Sequence, residues 1–420
     1  MPKDRPTILQ VIPQLDAGGA ELSVVEIAGA IARAGGRALV LAEPGRLAAD
    51  VARAGGQVIP FPAATKNPLR LLANARGMAR IAAREGVDLI HARSRAPAWS
   101  ALLAARRIGV PFVTTYHGAY GESNRLKRLY NSVMARGDVV IANSRFTAGL
   151  IGARYATPPE RIEVIHRGVD TAAFDPAAIA PERAAALRRS WGVDPEAPVI
   201  LHAARLTRWK GQGVLIEAAA RLQAQGRLGD AVVALAGDAQ GRQAYVKALR
   251  AQIARHGLQE HVRLVGHVTD MAAAYCAAHV TVVASIEPEA FGRTAIEAAA
   301  VGCPVIATDL GAPPETVLGA AGTPDAARTG WLIPPGDAEA LARSLAHALA
   351  LSQPARAALG DRARRHAVQN FSVGAMQKRT LAIYDRLLGT NLHARQAGSD
   401  ENPPHAGPQS NLVRTPGQRS

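Results

Sequence analysis

Four side chains between residues 205 and 297 of this 420-residue sequence have the types and spacing to grip a phosphorylated, hydroxyl-rich ligand: Arg205 and Lys210 in LHAARLTRWKGQ, and Glu289 and Glu297 in EPEAFGRTAIEAAAVGCPVIAT. A forked guanidinium and a mobile ammonium that follow a buried-strand pattern and precede a helix can close on the same phosphate oxygens. Carboxylates accept paired hydrogen bonds from sugar or ribose hydroxyls. If the interval from Glu289 to Glu297 is mostly helical, the two stand about 10 to 12 Å apart along the axis and within about 80° of one face. That exceeds the roughly 5 to 9.5 Å of a glycosidase carboxylate pair, so they would hold two ends of one long ligand. The amides of Phe291 to Arg293, at a helix start between them, favour an anion. Taken alone, the cations fit a surface charge cluster as well, and the two glutamates fit a solvated first turn and an amphipathic face better.

The first half offers smaller signals. Gly18-Gly19 sits at a strand-to-helix turn where backbone amides can touch a phosphate. The motif is GGAE and not GxGxxG, so Glu43 at the next strand end does not complete a dinucleotide fingerprint. His117 closes VTTYHG and His91 closes VDLIH. Both fall at carboxyl strand ends, where open α/β sheets place ligands. No HExxH, DxD, nucleophile elbow or Walker loop appears.

What must position these residues is a strand and helix rhythm. Residues 7–12 (TILQVI), 38–42, 57–60, 87–91, 111–116, 139–142 and 162–165 read as strands, separated by helical patterns near 17–33, 67–85 and 96–107. Such alternation predicts a parallel sheet. Residues 170–197, with Pro176, Pro181 and Pro195, read as a linker. A second register follows, with strands at 198–203, 231–236, 262–265, 280–283 and 304–307 between helices at 211–227, 243–256, 271–278 and 293–300. Two open α/β domains bring two sets of strand ends across a cleft.

Composition agrees with two domains, because a single core stops growing near 250 to 300 residues. The balance of 49 Lys/Arg against 34 Asp/Glu gives +15, and residues 1–190 hold 26 against 15 of it. A basic first half suggests an anionic partner or surface, or only a coding bias toward Arg. Nucleic acid finds no aromatic platform or recognition motif and is not expected as a partner. Cys276 and Cys303 lie in apolar runs without metal-ligand or CxxC spacing and read as buried thiols in a reducing compartment. No membrane-spanning run is present, so the chain reads as cytoplasmic, with any membrane contact peripheral.

In this order the motifs resemble the retaining glycosyltransferases of family 4 (group 1), which have the GT-B fold. The matching residues are Gly18-Gly19, HG at His117, NSRFT at Asn143, RGVD at Arg167, R-x4-K-G at Arg205, AGD at Ala236, VGHVTD at Val265, the E-x7-E pair, and TGWLIPPGD at Thr329. The resemblance spans about residues 6–388. It implies an acceptor-side Rossmann-like domain at 1–175, a donor domain at 176–370 and a helix at 371–388 that crosses back. Residues 389–420, rich in Pro, Gly, Asn and Ser, are expected to be a disordered tail.

The resemblance further implies a role for each matched residue. Arg205 and Lys210 would neutralise a diphosphate leaving group, and Glu297 would bind the nucleotide ribose. Glu289, with the amides of Ala290, Phe291 and Gly292, would hold the donor sugar. Gly18 and Gly19 would close the phosphate pocket, and His117 would lie beside the anomeric carbon. Gly237, Asp238, Gly266, His267 and Val268 would lie along the nucleotide. It implies a nucleotide-sugar co-substrate, no separate cofactor and no metal, with transfer to a glycan or lipid-linked acceptor in surface polysaccharide or lipopolysaccharide synthesis. Arg125, Lys127 and Arg128, with Arg70, Arg76, Arg80 and Arg84, would rest on anionic membrane. A sugar-nucleotide 2-epimerase shares the fold and is the alternative. Two positions depart from the family: Arg167 stands where Asn is usual, and Ala290 where Gly is frequent.

Overall fold

The computed structural model describes residues 5–16, 18–118, 120–121, 124–320 and 322–400. Strands β1 (Thr7–Gln14), β2 (Arg37–Glu43), β3 (Gln57–Pro60), β4 (Leu89–Ala92), β5 (Phe112–Tyr116), β6 (Val139–Ala142) and β7 (Ile162–Val164) form one parallel sheet in the order β3-β2-β1-β4-β5-β6-β7. The second sheet contains β8 (Val199–Ala203), β9 (Val232–Ala236), β10 (Val262–Gly266), β11 (Val280–Val283), β12 (Val305–Thr308) and β13 (Gly330–Ile333), ordered β10-β9-β8-β11-β12-β13. The central strands are continuous aliphatic runs because helices cover both faces. Each sheet accordingly has two apolar clusters, one per face. This is the GT-B arrangement of two parallel α/β domains.

Chain order reverses between β1 and β4 in the first sheet and between β8 and β11 in the second. Crevices open at the carboxyl ends of strands flanking such reversals. Residues 15, 16, 18, 93, 204–211 and 284–292 therefore fall where a ligand can sit.

Three sequence expectations are corrected. Part of the expected linker packs on the second domain: Ile179, Trp191, Val193 and Ala197 are buried with β8 and β12 residues, because the helix Pro181–Ser190 lies on the second sheet. Cys276 is exposed, since its short helix turns that side outward, and only Cys303 is buried. The expected tail is ordered through residue 400, where Leu392–Asp400 forms a helix. Composition missed it because polar contacts carry much of its attachment: beside one apolar side chain and one cap, buried Gln396 Nε2 donates to Gln377 Oε1 at 2.9 Å. Leu392 is buried, and Asp385 accepts from the Leu392 amide (2.6 Å), the His393 amide (2.9 Å) and Thr390 Oγ1 (2.6 Å). Residues 401–420 lie outside the described residues.

The helix Val373–Leu388 leaves the second domain and inserts Met376, Leu381, Ile383 and Tyr384 into the first-domain core beside Ile8, Ile12 and Val24. His91 is part of this attachment and not of the cleft. Its Nδ1 lies 2.6 Å from Tyr384 Oη and its Nε2 2.7 Å from Thr115 Oγ1, and burial holds its pKa well below the ordinary histidine value.

Candidate active site in the cleft

On the second-domain wall, β8 ends at Ala203 and the chain turns through Arg205 and Lys210 before the helix Gln212–Ala224. The tightness of this turn explains Gly211: its φ is +76°, and a β-carbon there would collide with the Ala284 carbonyl beyond β11. The two switch-point loops are thereby pressed together. Lys210 Nζ donates to Glu289 Oε1 at 2.5 Å, and Ser285 Oγ donates to the same oxygen at 2.5 Å. Lys210 also stands 4.2 Å from the Trp209 ring centroid, a cation–π contact that fixes the ammonium laterally. Glu289 pairs in a parallel bridge with Gly311, where a β-carbon would strike the Glu289 backbone.

Glu289 is therefore a loop residue, and helix begins only at Arg293. The helical spacing expected for the two glutamates does not apply. Glu297 lies one turn into Arg293–Ala300, where it accepts from Arg293 Nε (3.1 Å) and Tyr275 Oη (3.2 Å). The helix starts from Gly292 at φ +83° with no side-chain cap, so its first amides are left for a ligand.

The first-domain wall carries Gly19, which opens the helix Gly19–Arg33, and His117 after β5. Arg167, after β7, donates from Nη2 to His117 Nδ1 at 2.7 Å. The acceptor role of Nδ1 puts the imidazole proton on Nε2. Burial, then the charges of Arg167, Arg93 and His91, pushes the His117 pKa well below its usual value, so the ring is a neutral N–H donor.

A cavity of about 480 Å³ between the walls collects Gly19, His117, Arg205, Lys210, Glu289, Ala290, Phe291 and Gly292 from the residues expected at a site. It also contains Asn143, Arg167, Trp209, Glu287, Arg293 and Thr294. Gly18, Gly237, Asp238, Gly266, His267, Val268 and Glu297 do not line it. Gly237 has a packing reason: a β-carbon would strike the Ala204 carbonyl behind Arg205. Asp238, Gly266 and His267 are exposed at the ends of β9 and β10, while Val268 is buried. The Trp209 ring and the Arg293 side chain were not singled out from the sequence, although Arg293 was named for its backbone amide and Trp209 adjoins Lys210. Among the described residues no group of three His, Cys, Asp or Glu side chains could hold a metal ion.

A cleft between two doubly wound domains, with cations on one switch point and glycine amides on the other, defines a class of diphosphate-handling enzymes. The comparisons identify which. Residues 17–173 match the model of Glycosyltransferase Family 4 and residues 184–366 that of Glycosyl transferases group 1. The chain belongs to this family of glycosyltransferases. It is 32% identical over 408 residues to a D-inositol 3-phosphate glycosyltransferase of Jonesia denitrificans, covering 88% of this chain and 92% of that one. A protein of the same name from Kineococcus radiotolerans is 32% identical over 92% of this chain and 94% of its own. Among solved structures, a glycosyltransferase from Rickettsia africae ESF-5 superposes with a TM-score of 0.83 at 34% identity, covering 93% of this chain and all (100%) of that one. Anabaena HepE in complex with UDP-glucose gives 0.77 at 27%, over 91% of this chain and 100% of its own.

Proposed function

We propose that the enzyme is a retaining, metal-independent hexosyltransferase that moves a sugar from a nucleotide diphosphate donor to an acceptor hydroxyl. One observation carries the reading: Lys210, Glu289 and Arg205 share a cavity with Gly19 and His117 of the other domain. Cleaving the sugar–phosphate bond leaves negative charge on the diphosphate, which Arg205 and Lys210 would meet as preorganised cations. Glu289 accepts both its side-chain donors at Oε1, and its second oxygen would take sugar hydroxyls. Glu297 would reach the ribose at the cavity margin, with Gly266 to Val268 near the base.

His117 is unsuited to general base work, because Nδ1 is occupied by Arg167 and Nε2 carries the proton. The acceptor proton would then pass to an oxygen of the departing phosphate on the same face of the sugar, which retains the anomeric configuration. His117 would donate from Nε2 to a sugar or acceptor oxygen.

The test is thermal denaturation with UDP-, GDP- and ADP-sugars in the presence of EDTA. One of them at about 100 times its Kd should add roughly 2.7 kcal/mol of stability. No shift with any donor at millimolar concentration removes the assignment. Product formed only when acceptor is supplied excludes the 2-epimerase, and its anomeric signals by NMR decide retention.

For the acceptor, the names of the curated relatives support a phosphorylated polyol. They give no support to lipopolysaccharide synthesis. A lipid-linked acceptor is favoured by one surface feature. Leu126 and Leu129, 78% and 54% exposed, alternate with Arg125, Lys127 and Arg128 on the helix Arg125–Asn131, and Leu69 is 78% exposed on Pro68–Arg84. Ser100 Oγ to the Leu71 carbonyl (3.0 Å) and Trp99 Nε1 to the Tyr130 carbonyl (3.1 Å) tie both helices to Arg95–Ile108. No helix among the described residues is long and apolar enough to cross a membrane. Leucines among cations suit a peripheral rest on anionic lipid. Vesicles containing phosphatidylglycerol should sediment the protein and phosphatidylcholine vesicles should not. Leu126→Ser with Leu129→Ser should weaken that binding about tenfold; equal recovery on both vesicles ends the membrane reading.

A further inference from the structure

A second cavity, of about 560 Å³, opens in the first domain and has no residue in common with the cleft. Trp99, Leu102, Leu103 and Arg106 recur at helical spacing along Arg95–Ile108 and so present one face to it. The turn after the helix Arg125–Asn131 supplies Arg136, and the chain leading into β7 supplies Arg161. A third wall forms where Ala156 ends the helix Arg145–Tyr155 at φ +47°, a conformation costly for alanine, which sets Tyr155 and Pro158 along the groove.

The charge of this groove has one sign. Its lining holds Arg106, Arg136 and Arg161 and no carboxylate. Arg136 lies 5.1 Å from the Trp99 ring centroid, and Arg161 Nε donates to the Gly137 carbonyl at 3.1 Å. These contacts orient each guanidinium without cancelling its charge. Of the three, only Arg106 forms an ion pair among the described residues, with Asp138 at 3.5 Å.

Location selects the ligand. Arg136 and Arg161 precede β6 and β7, so the groove lies at the amino ends of the strands, away from the carboxyl ends that face the cleft. The exposed leucines belong to the helix that lines it and to the two helices tied to that one. Leu69, Leu72, Leu103, Leu126 and Leu129 are five of the seven large hydrophobic residues exposed among those described, and all stand on Pro68–Arg84, Arg95–Ile108 and Arg125–Asn131. A free phosphate or a nucleotide would leave this hydrocarbon in water, whereas a lipid with an anionic headgroup engages the cations and the leucines together.

We propose that the groove seats one anionic phospholipid, with its phosphate among Arg106, Arg136 and Arg161 and its glycerol and first acyl carbons on Trp99, Leu102 and Leu103. The proposal rests on the peripheral-membrane reading only in naming a bilayer as the source. A lipid held here is an anchor and not the acceptor, because groove and cleft share no residue. Membrane attachment then depends on a bound headgroup as well as on surface charge.

Dihexanoyl phosphatidylglycerol, titrated calorimetrically into the full chain below its micellar concentration, tests this without a bilayer. It should bind saturably, one lipid per chain, and dihexanoyl phosphatidylcholine and inorganic phosphate should each bind at least tenfold more weakly. Arg106→Gln with Arg136→Gln should weaken the phosphatidylglycerol about tenfold or more, and lysine at both positions should recover most of the loss. Melting curves of these variants, with and without nucleotide-sugar, confirm that the fold and the cleft are intact. No saturable binding, equal binding of phosphatidylcholine, or an affinity unmoved by the glutamine pair overturns the proposal. Inorganic phosphate that binds as tightly as the lipid overturns it too, leaving an anion site without a membrane role. Leu126→Ser with Leu129→Ser should reduce vesicle sedimentation and leave the short-chain titration unchanged. Vesicles that fail to sediment even the wild type end the membrane reading, while the short-chain titration still decides whether the groove takes a lipid.

Discussion

Lys210→Ala is expected to lower turnover by about 10² to 10³, the usual loss when one preorganised charge is removed from a developing anion. The same change damages the fold, because Lys210 and Glu289 form an ion pair with side chains only 16% and 10% exposed. Removing the ammonium leaves the Glu289 carboxylate with Ser285 as its side-chain donor, which costs about 3 kcal/mol. The two consequences separate in the double variant. Lys210→Ala with Glu289→Gln removes the stranded charge, so the melting temperature should recover much of its fall while turnover stays low. Recovery of both would mean that Lys210 serves only the loop, and a turnover loss below tenfold would remove it from the leaving-group site. Glu289→Gln alone should keep the loop through its amide oxygen and raise KM for the donor more than it lowers kcat.

What could be read from the sequence divides along a physical line. Strands were visible where a β-branched run is bounded by Gly or Pro, and 57–60, 139–142 and 280–283 match β3, β6 and β11 at both ends. Strand β13 was read only as part of a motif, because GWLI is short and half of it is bulky aromatic or glycine. Arg205, Lys210 and Glu289 could be named because strand-end position and residue type together restrict the chemistry. Their mutual contact could not, since it depends on Gly211 letting two loops touch. Glu297 and Gly237 show the opposite case. A motif gave them a ligand, while the structure gives them partners within the protein: Arg293 and Tyr275 for one, the Ala204 backbone for the other. Arg167 was visible only as a departure, and its meaning required seeing His117 within hydrogen-bond distance.

The interdomain contact beside the site was not legible at all, and it carries the second large effect. Glu315 follows β12 in the second domain, yet its carboxylate accepts from the backbone amides of Arg145 and Phe146, each at 2.8 Å, at the start of the first-domain helix Arg145–Tyr155. His166, also from the first domain, approaches the same carboxylate at 2.8 Å. The segment is anchored to the catalytic loop, since the Ala312 amide donates to the Glu289 carbonyl at 2.9 Å. Closure of the cleft and placement of Glu289 are thereby linked through a few residues. Glu315→Ala removes a charged acceptor from two amides and a histidine, each such bond being worth about 1.5 to 3 kcal/mol. We expect kcat/KM to fall about 10²-fold and the radius of gyration from small-angle scattering to rise as the domains part. Burial works to raise the Glu315 pKa, but hydrogen bonds from His166, Phe146 and Arg145 outweigh it and hold the group below the ordinary value of 4.5. A depressed folded pKa means that the contact stabilises closure fully above pH 4.5 and loses that contribution as pH falls through the lower, closed-state pKa. Wild-type scattering should therefore show opening on acidification below that point, and Glu315→Gln should be already open and insensitive across the same interval. An unchanged radius of gyration together with unchanged kcat/KM in Glu315→Ala would show that closure is held by other contacts between the halves, such as the attachment of Val373–Leu388 to the first-domain core and the Arg293–Glu26 pair.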